Sequence, residues 1–89
     1  MGWAMPLRIE FTRRALKDLR RLPAADRERA LAKLSAYAED PGGRHFDVLH
    51  LVGSLEGFRL RVGDWRLVFN VTDRHLEVLR VGHRREVYR

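Results

Sequence analysis

The stretch FRLRVGDWRLVFNV, from Phe58 to Val71, restricts the fold of this chain more than any other. Two runs of alternating apolar and polar residues meet at Gly63-Asp64, and a Gly-X pair between such runs signals a two-residue β-hairpin turn. With those residues as the turn, Val62 pairs with Trp65, Arg61 with Arg66, and Leu60 with Leu67. Cross-strand partners share a face. One side of the ribbon then gathers Phe58, Leu60, Val62, Trp65, Leu67, Phe69 and Val71, which is a core surface. The other gathers Arg59, Arg61, Arg66, Val68 and Asn70. Three arginines at adjacent positions of a rigid sheet repel one another, which predicts an anionic partner for that face.

The remaining segments supply what such a hairpin needs. Leu7, Ile9 and Phe11 alternate in LRIEF, a short half-buried strand after Pro6. Thr12 reads as an N-cap, and Ala15, Leu16, Leu19 and Leu22 recur at helical spacing until Pro23 ends the run. Pro23 is suited to begin a second helix, whose apolar stripe is Ala30, Leu31, Leu34, Tyr37 and Ala38, closed by Asp40-Pro41-Gly42-Gly43. The tight corner predicts an antiparallel helix hairpin. Gly42 to Gly57 has no clean period and reads as an ordered loop. After the hairpin, Thr72-Asp73-Arg74 is a turn and HLEVLRV, from His75 to Val81, a further strand. An even-length turn would put Arg80 on the apolar side, so an odd turn or a bulge is expected. The predicted architecture is α+β: a two-layer domain of order βααβββ, with an antiparallel sheet packed on the N-terminal helix hairpin and its other face open.

Length and composition add exclusions. Eighty-nine residues make a single domain spanning 1–89. Without cysteine there is no disulfide framework, thiolate zinc site or thiol nucleophile, and His45, His50 and His75 have no metal-ligand spacing, so neither metal nor cofactor is expected. No apolar run approaches the roughly 20 residues of a spanning helix, and MGWAMPL is too short for a signal peptide, which predicts a cytoplasmic protein without a membrane partner. The net charge is +6, and nearly all of the 18 basic residues are arginine, whose planar fork suits phosphate. Nucleic acid leads the expected partners, followed by an acidic protein that covers the same surface.

Three segments, LRIEFTRRALKDLRRLP, LEGFRLRVGDWRLVFNV and LRVGHRREVYR, appear in this order with this element pattern. From Leu7 onward the chain thereby resembles the RelE/ParE superfamily of toxins from type II toxin–antitoxin systems. RelE-like members cleave mRNA in the ribosomal A site, and ParE-like members poison DNA gyrase. The resemblance carries the family's two basic residues on one strand onto Arg59 and Arg61, and its arginine on the next strand onto Arg66 in DWRLVF. Its arginine near the end falls on Arg84, and its terminal tyrosine on Tyr88. Lysines of well-studied RelE members are replaced here by Arg59 and Arg61, and His83 stands beside Arg84, as a histidine does in YoeB-type relatives.

RNA cleavage through its own 2′-hydroxyl needs a base, positive charge around the phosphate, and an acid for the departing 5′-oxygen. Arginine stays protonated and supplies the charge but not the base. The resemblance therefore implies Arg61, Arg66 and Arg84 around the phosphate, His83 in proton transfer and Tyr88 on a base or steadying the nucleophile, with Arg59 and Arg85 adding RNA contacts. It further implies an antitoxin partner, a ribosome and mRNA as target, and a toxin–antitoxin complex that binds operator DNA. A gyrase inhibitor, or a non-toxic homologue that only binds antitoxin, remain the alternatives.

Overall fold

A computed structural model describes residues 6–50 and 57–87. Its elements are β1 (Arg8–Phe11), α1 (Arg13–Arg20), α2 (Ala24–Glu39), β2 (Val48–His50), β3 (Phe58–Val62), β4 (Trp65–Thr72) and β5 (His75–His83). The strands form one sheet of order β1-β5-β4-β3-β2. The α+β two-layer architecture is as expected, with two refinements. β1 lies at the edge parallel to β5, whereas the other neighbours are antiparallel. A short strand, β2, also occurs inside the segment read as loop. Three residues are too few to show an alternation, and β2 is defined by its pairing with β3, Val48 to Leu60 and Leu49 to Arg59.

The β3–β4 hairpin has the register the sequence dictates: Val62 faces Trp65, Arg61 faces Arg66 and Leu60 faces Leu67. Gly63, at φ 60°, occupies the left-handed position that such a turn demands and that glycine adopts without strain. The β4–β5 turn is even, with Thr72 opposite His75 and Asp73 at φ 56°. Parity is corrected by a bulge: Phe69 faces Val78 but Val68 faces Arg80, so Leu79 is the extra residue. Val78 and Val81 thereby both point to the core.

Thr12 locks the first strand to the first helix. Its Oγ1 accepts from Ala15 N at 3.0 Å and donates to Leu79 O at 3.1 Å, while its own N–H bonds Val78 O. α1 packs on β5, and α2 reaches β3 and β1. Between the layers lie Ala15, Leu19, Leu22, Ala30, Leu34, Tyr37 and Ala38 from the helical half, against Leu60, Val62, Leu67, Phe69, Leu76, Val78 and Val81 from the sheet. Leu16 and Leu31, read as part of the helix stripes, sit at the outer rim of that contact, 41% and 38% exposed. Trp65 closes the hairpin end of the core, its Nε1 donating to Asp26 Oδ2 of α2 at 3.1 Å. Among the described residues no helix is long and apolar enough to cross a membrane.

Candidate functional site

Because both helices pack on one side of the sheet, the opposite side has no helical cover among the described residues. The register arranges its side chains in rows. Leu49, Arg59, Val68 and Arg80 form one row across β2, β3, β4 and β5; Arg61, Arg66 and Gly82 form the next. Toward β1 the face turns acidic, where Glu77 is paired with both Asn70 and Glu10. The cationic half therefore coincides with the β3–β4 hairpin.

Arg59, Arg61 and Arg66 line one cleft of about 240 Å³ together with Phe46, Asp47 and Leu49. Their mutual repulsion is relieved partly from within. Arg61 donates from Nε and Nη2 to Asp47 Oδ1 at 3.3 and 3.0 Å, and Lys33 Nζ reaches Asp47 Oδ2 at 2.6 Å. The hydrogen bond from Lys33, then that from Arg61, holds the Asp47 carboxyl below its ordinary value. Arg66 Nη1 bonds the carbonyls of Gly63 and Trp65 at 2.8 and 2.9 Å. Asp47 is thus an anion from within the chain for an arginine row that the sequence alone assigned wholly to an outside partner. Arg61 still leaves 61% of its side chain in solvent.

Val68 is 5% exposed although it lies on this uncovered face. Arg59 and Arg80 flank it in register, and long arginine stems bury apolar neighbours while their heads stay polar. Val87, 2% exposed, reaches the same face: a β-carbon on Gly82 would meet it. Residues 84–87 therefore curl back over the sheet in a turn, with Glu86 N and Val87 N both bonded to His83 O. That turn carries Arg84, whose N–H bonds Asp64 O at 2.8 Å and whose Nε is 3.8 Å from Asp64 Oδ1. Arg85 is exposed, its N–H donating to His83 Nδ1 at 3.2 Å.

His83 is placed differently from the arginines. It pairs with Trp65, on the helix-facing side, and its ring meets the indole edge-on at 5.8 Å. It lines a second cleft, of about 270 Å³, at the β5 edge with Arg14, Arg21, Trp65 and Arg80. Arg59, Arg61 and Arg66 are thus brought together, Arg84 and Arg85 lie on the adjoining turn, and His83 stands at the far side of the sheet end. Tyr88 lies outside the described residues. Arg80 is the basic residue that sequence reasoning did not count: an odd turn or a bulge was anticipated, and the bulge at Leu79 sets Arg80 in the row of Arg59. Among the described residues no group of three His, Cys, Asp or Glu side chains is arranged to hold a metal.

Residues 9–88 match the family model described as the ParE toxin of the type II toxin–antitoxin system, parDE. RelE1 of Methanocaldococcus jannaschii is 28% identical over 88 residues, covering 96% of this chain and 98% of that protein. Among solved structures, RelE in the archaeal RelE–RelB complex of Pyrococcus horikoshii aligns with a TM-score of 0.75 at 27% identity, over 93% of this chain and all of that one. The intact RelBE toxin–antitoxin complex of E. coli aligns with a TM-score of 0.71 at 31% identity, over 86% and 95% of the two chains.

Proposed function

The chain belongs to the family of ParE toxins of type II toxin–antitoxin systems, RelE-like in structure, and from that premise we propose that it is a ribosome-dependent mRNA endonuclease that inhibits translation. One observation carries this reading: Arg59, Arg61 and Arg66 line a single cleft on the sheet face that no described helix covers. A gyrase inhibitor acting through protein contacts has no need of an arginine-lined cleft.

In the proposed reaction the 2′-hydroxyl gives up its proton to water as its oxygen attacks the adjacent phosphorus, the bond to the 5′-oxygen breaks, and that oxygen takes up a proton from water, leaving a 2′,3′-cyclic phosphate and a 5′-hydroxyl. Arg61 and Arg66 stabilise the charge that builds on the phosphoryl oxygens, and Arg84 approaches from the tail. Asp47 must release Arg61 at least in part, because a bidentate guanidinium cannot serve carboxylate and phosphate with the same two N–H groups. The arginines act as charge stabilisers, and the ribosome contributes alignment of the substrate. His83, packed on Trp65, is expected to hold the tail turn, so His83→Ala should retain cleavage where Arg61→Ala and Arg66→Ala lose it.

The partner that restrains such a toxin is an antitoxin, as in the RelE–RelB and RelBE complexes that this chain resembles. A +6 domain attracts an acidic or partly disordered binding segment, and operator binding by the joint complex follows the same family logic. Induction of the protein in bacteria tests the reading. Translational arrest with cleaved transcripts is expected. Filamentation with DNA damage would assign gyrase as the target, and unimpaired growth would leave an antitoxin-binding homologue without toxicity.

A further inference from the structure

Phe46 is 88% exposed, far beyond Leu16, Leu31 and Leu49, the other large apolar side chains exposed among the described residues. Leaving an aromatic ring in water forfeits the burial that normally fixes its position, yet the residues on either side are held firmly. His45 Nε2 lies 2.6 Å from Asp40 O, and its ring meets Tyr37 edge-on at 4.9 Å. Asp47 is clamped between Lys33 and Arg61, and its carbonyl accepts from Arg61 N at 2.8 Å. The backbone thus presents Phe46 outward from two anchored neighbours, and the ring borders the cleft of Arg59, Arg61 and Arg66.

We propose that Phe46 is a stacking platform for one nucleobase, set beside the arginines that hold the neighbouring phosphates. The proposal deepens the RNA-directed reading of this cleft and rests on it. A single-stranded nucleotide offers two chemistries within a few ångströms, an anionic phosphate and an apolar π-face. The cleft offers their complements: guanidinium groups on the sheet and one exposed ring at its rim. A ring stacks on any base, so the contact orders the strand without fixing its sequence. Asp47 has a positioning role here, since its pair with Lys33 and the bond from Arg61 N to its carbonyl keep the segment bearing Phe46 seated against α2 and β3 even when the Arg61 side chain turns to phosphate.

Binding of the full chain to two probes tests this: a mixed-sequence single-stranded hexaribonucleotide and inorganic tripolyphosphate, which has the phosphates but no bases. Phe46→Ala is expected to weaken hexaribonucleotide binding about tenfold or more and leave tripolyphosphate binding within about twofold. Phe46→Trp should restore the hexaribonucleotide affinity and Phe46→Leu should not. Because the side chain is solvent-exposed, the fold should withstand each change, which circular dichroism verifies. Unchanged hexaribonucleotide binding by Phe46→Ala, while Arg61→Ala weakens it, would overturn the platform and leave the RNA reading standing. Equal losses on both probes would also overturn it, as would a loss confined to antitoxin capture. If the unaltered protein binds neither probe, the RNA reading itself falls, and the platform with it.

Discussion

Val87 packs on Gly82 of β5 from the arginine-bearing side of the sheet: a β-carbon added to Gly82 would stand 3.4 Å from Val87 Cβ. The contact explains how a short basic tail acquires a fixed place beside Arg66, the cross-strand partner of Gly82. A small residue leaves room on the sheet, and a buried valine fills it.

Separating that pair should free the tail without unfolding the domain, because Val87 is not part of the main core. Val87→Ala is expected to reduce stability by about 1–2 kcal/mol. Val87→Asp or Gly82→Val should expose Arg84 and Arg85 to trypsin well below the melting temperature. Unaltered cleavage at those arginines would mean that the bond from Arg84 N to Asp64 O holds the turn by itself.

Asp47 should give the domain a specific acid sensitivity. Lys33 first and Arg61 second hold its carboxyl below the ordinary value of 3.8, so the folded state binds its proton less readily than the unfolded state. The resulting stabilisation is complete above the unfolded value and is lost as pH falls below 3.8 through the folded one. Lys33 and Arg61 are 41% and 61% exposed, which limits each pair to about 1 kcal/mol or less. Denaturant titrations should therefore show Asp47→Asn less stable by a constant margin from about pH 5 to 7, with the margin closing below about pH 4.

The bulge at Leu79 permits a sharper test. Removing the extra residue would let Val78, Arg80 and Val81 alternate regularly, with both valines in the core and Arg80 opposite Val68. Deletion of Leu79 is expected to leave a folded protein, weakened by about 1–2 kcal/mol through loss of the bond from Thr12 Oγ1. Deletion of Val81 instead places Arg80 or Gly82 opposite Leu67 in the core and should abolish cooperative melting. Equal damage from the two deletions would contradict this register.

What the sequence revealed followed physical periodicity. The hairpin register, its core face and the row of Arg59, Arg61 and Arg66 were readable because alternation over many residues and a Gly-X turn act together. The parity conflict at Arg80 announced a bulge but not its position, since either Leu79 or the turn could absorb one residue. β2 escaped notice because a three-residue edge strand is specified by its neighbour. The Asp47 clamp joins residues 14 positions apart on either side, in Lys33 and Arg61, and no local pattern encodes it. His83 was grouped with the arginines by its place beside Arg84, although strand alternation after the bulge sets it with Trp65.

Salt dependence separates the two kinds of contact proposed for the cleft. Each phosphate neutralised by an arginine releases counterions, so the logarithm of the binding constant falls with that of salt concentration by about 0.7 per contact on a single strand. Arg59→Ala and Arg61→Ala should each lower the slope by roughly that amount on a hexaribonucleotide, whereas Phe46→Ala should lower affinity at every salt concentration and leave the slope alone. Arg66→Lys is the discriminating substitution among the arginines. The Arg66 guanidinium bonds Gly63 O and Trp65 O through one nitrogen, and a planar fork held in this way keeps other N–H groups pointing elsewhere. Lysine preserves the charge but not the fork, so the slope should persist while cleavage in a translating extract falls. Full cleavage by Arg66→Lys would show that charge alone, without oriented donors, suffices at that position.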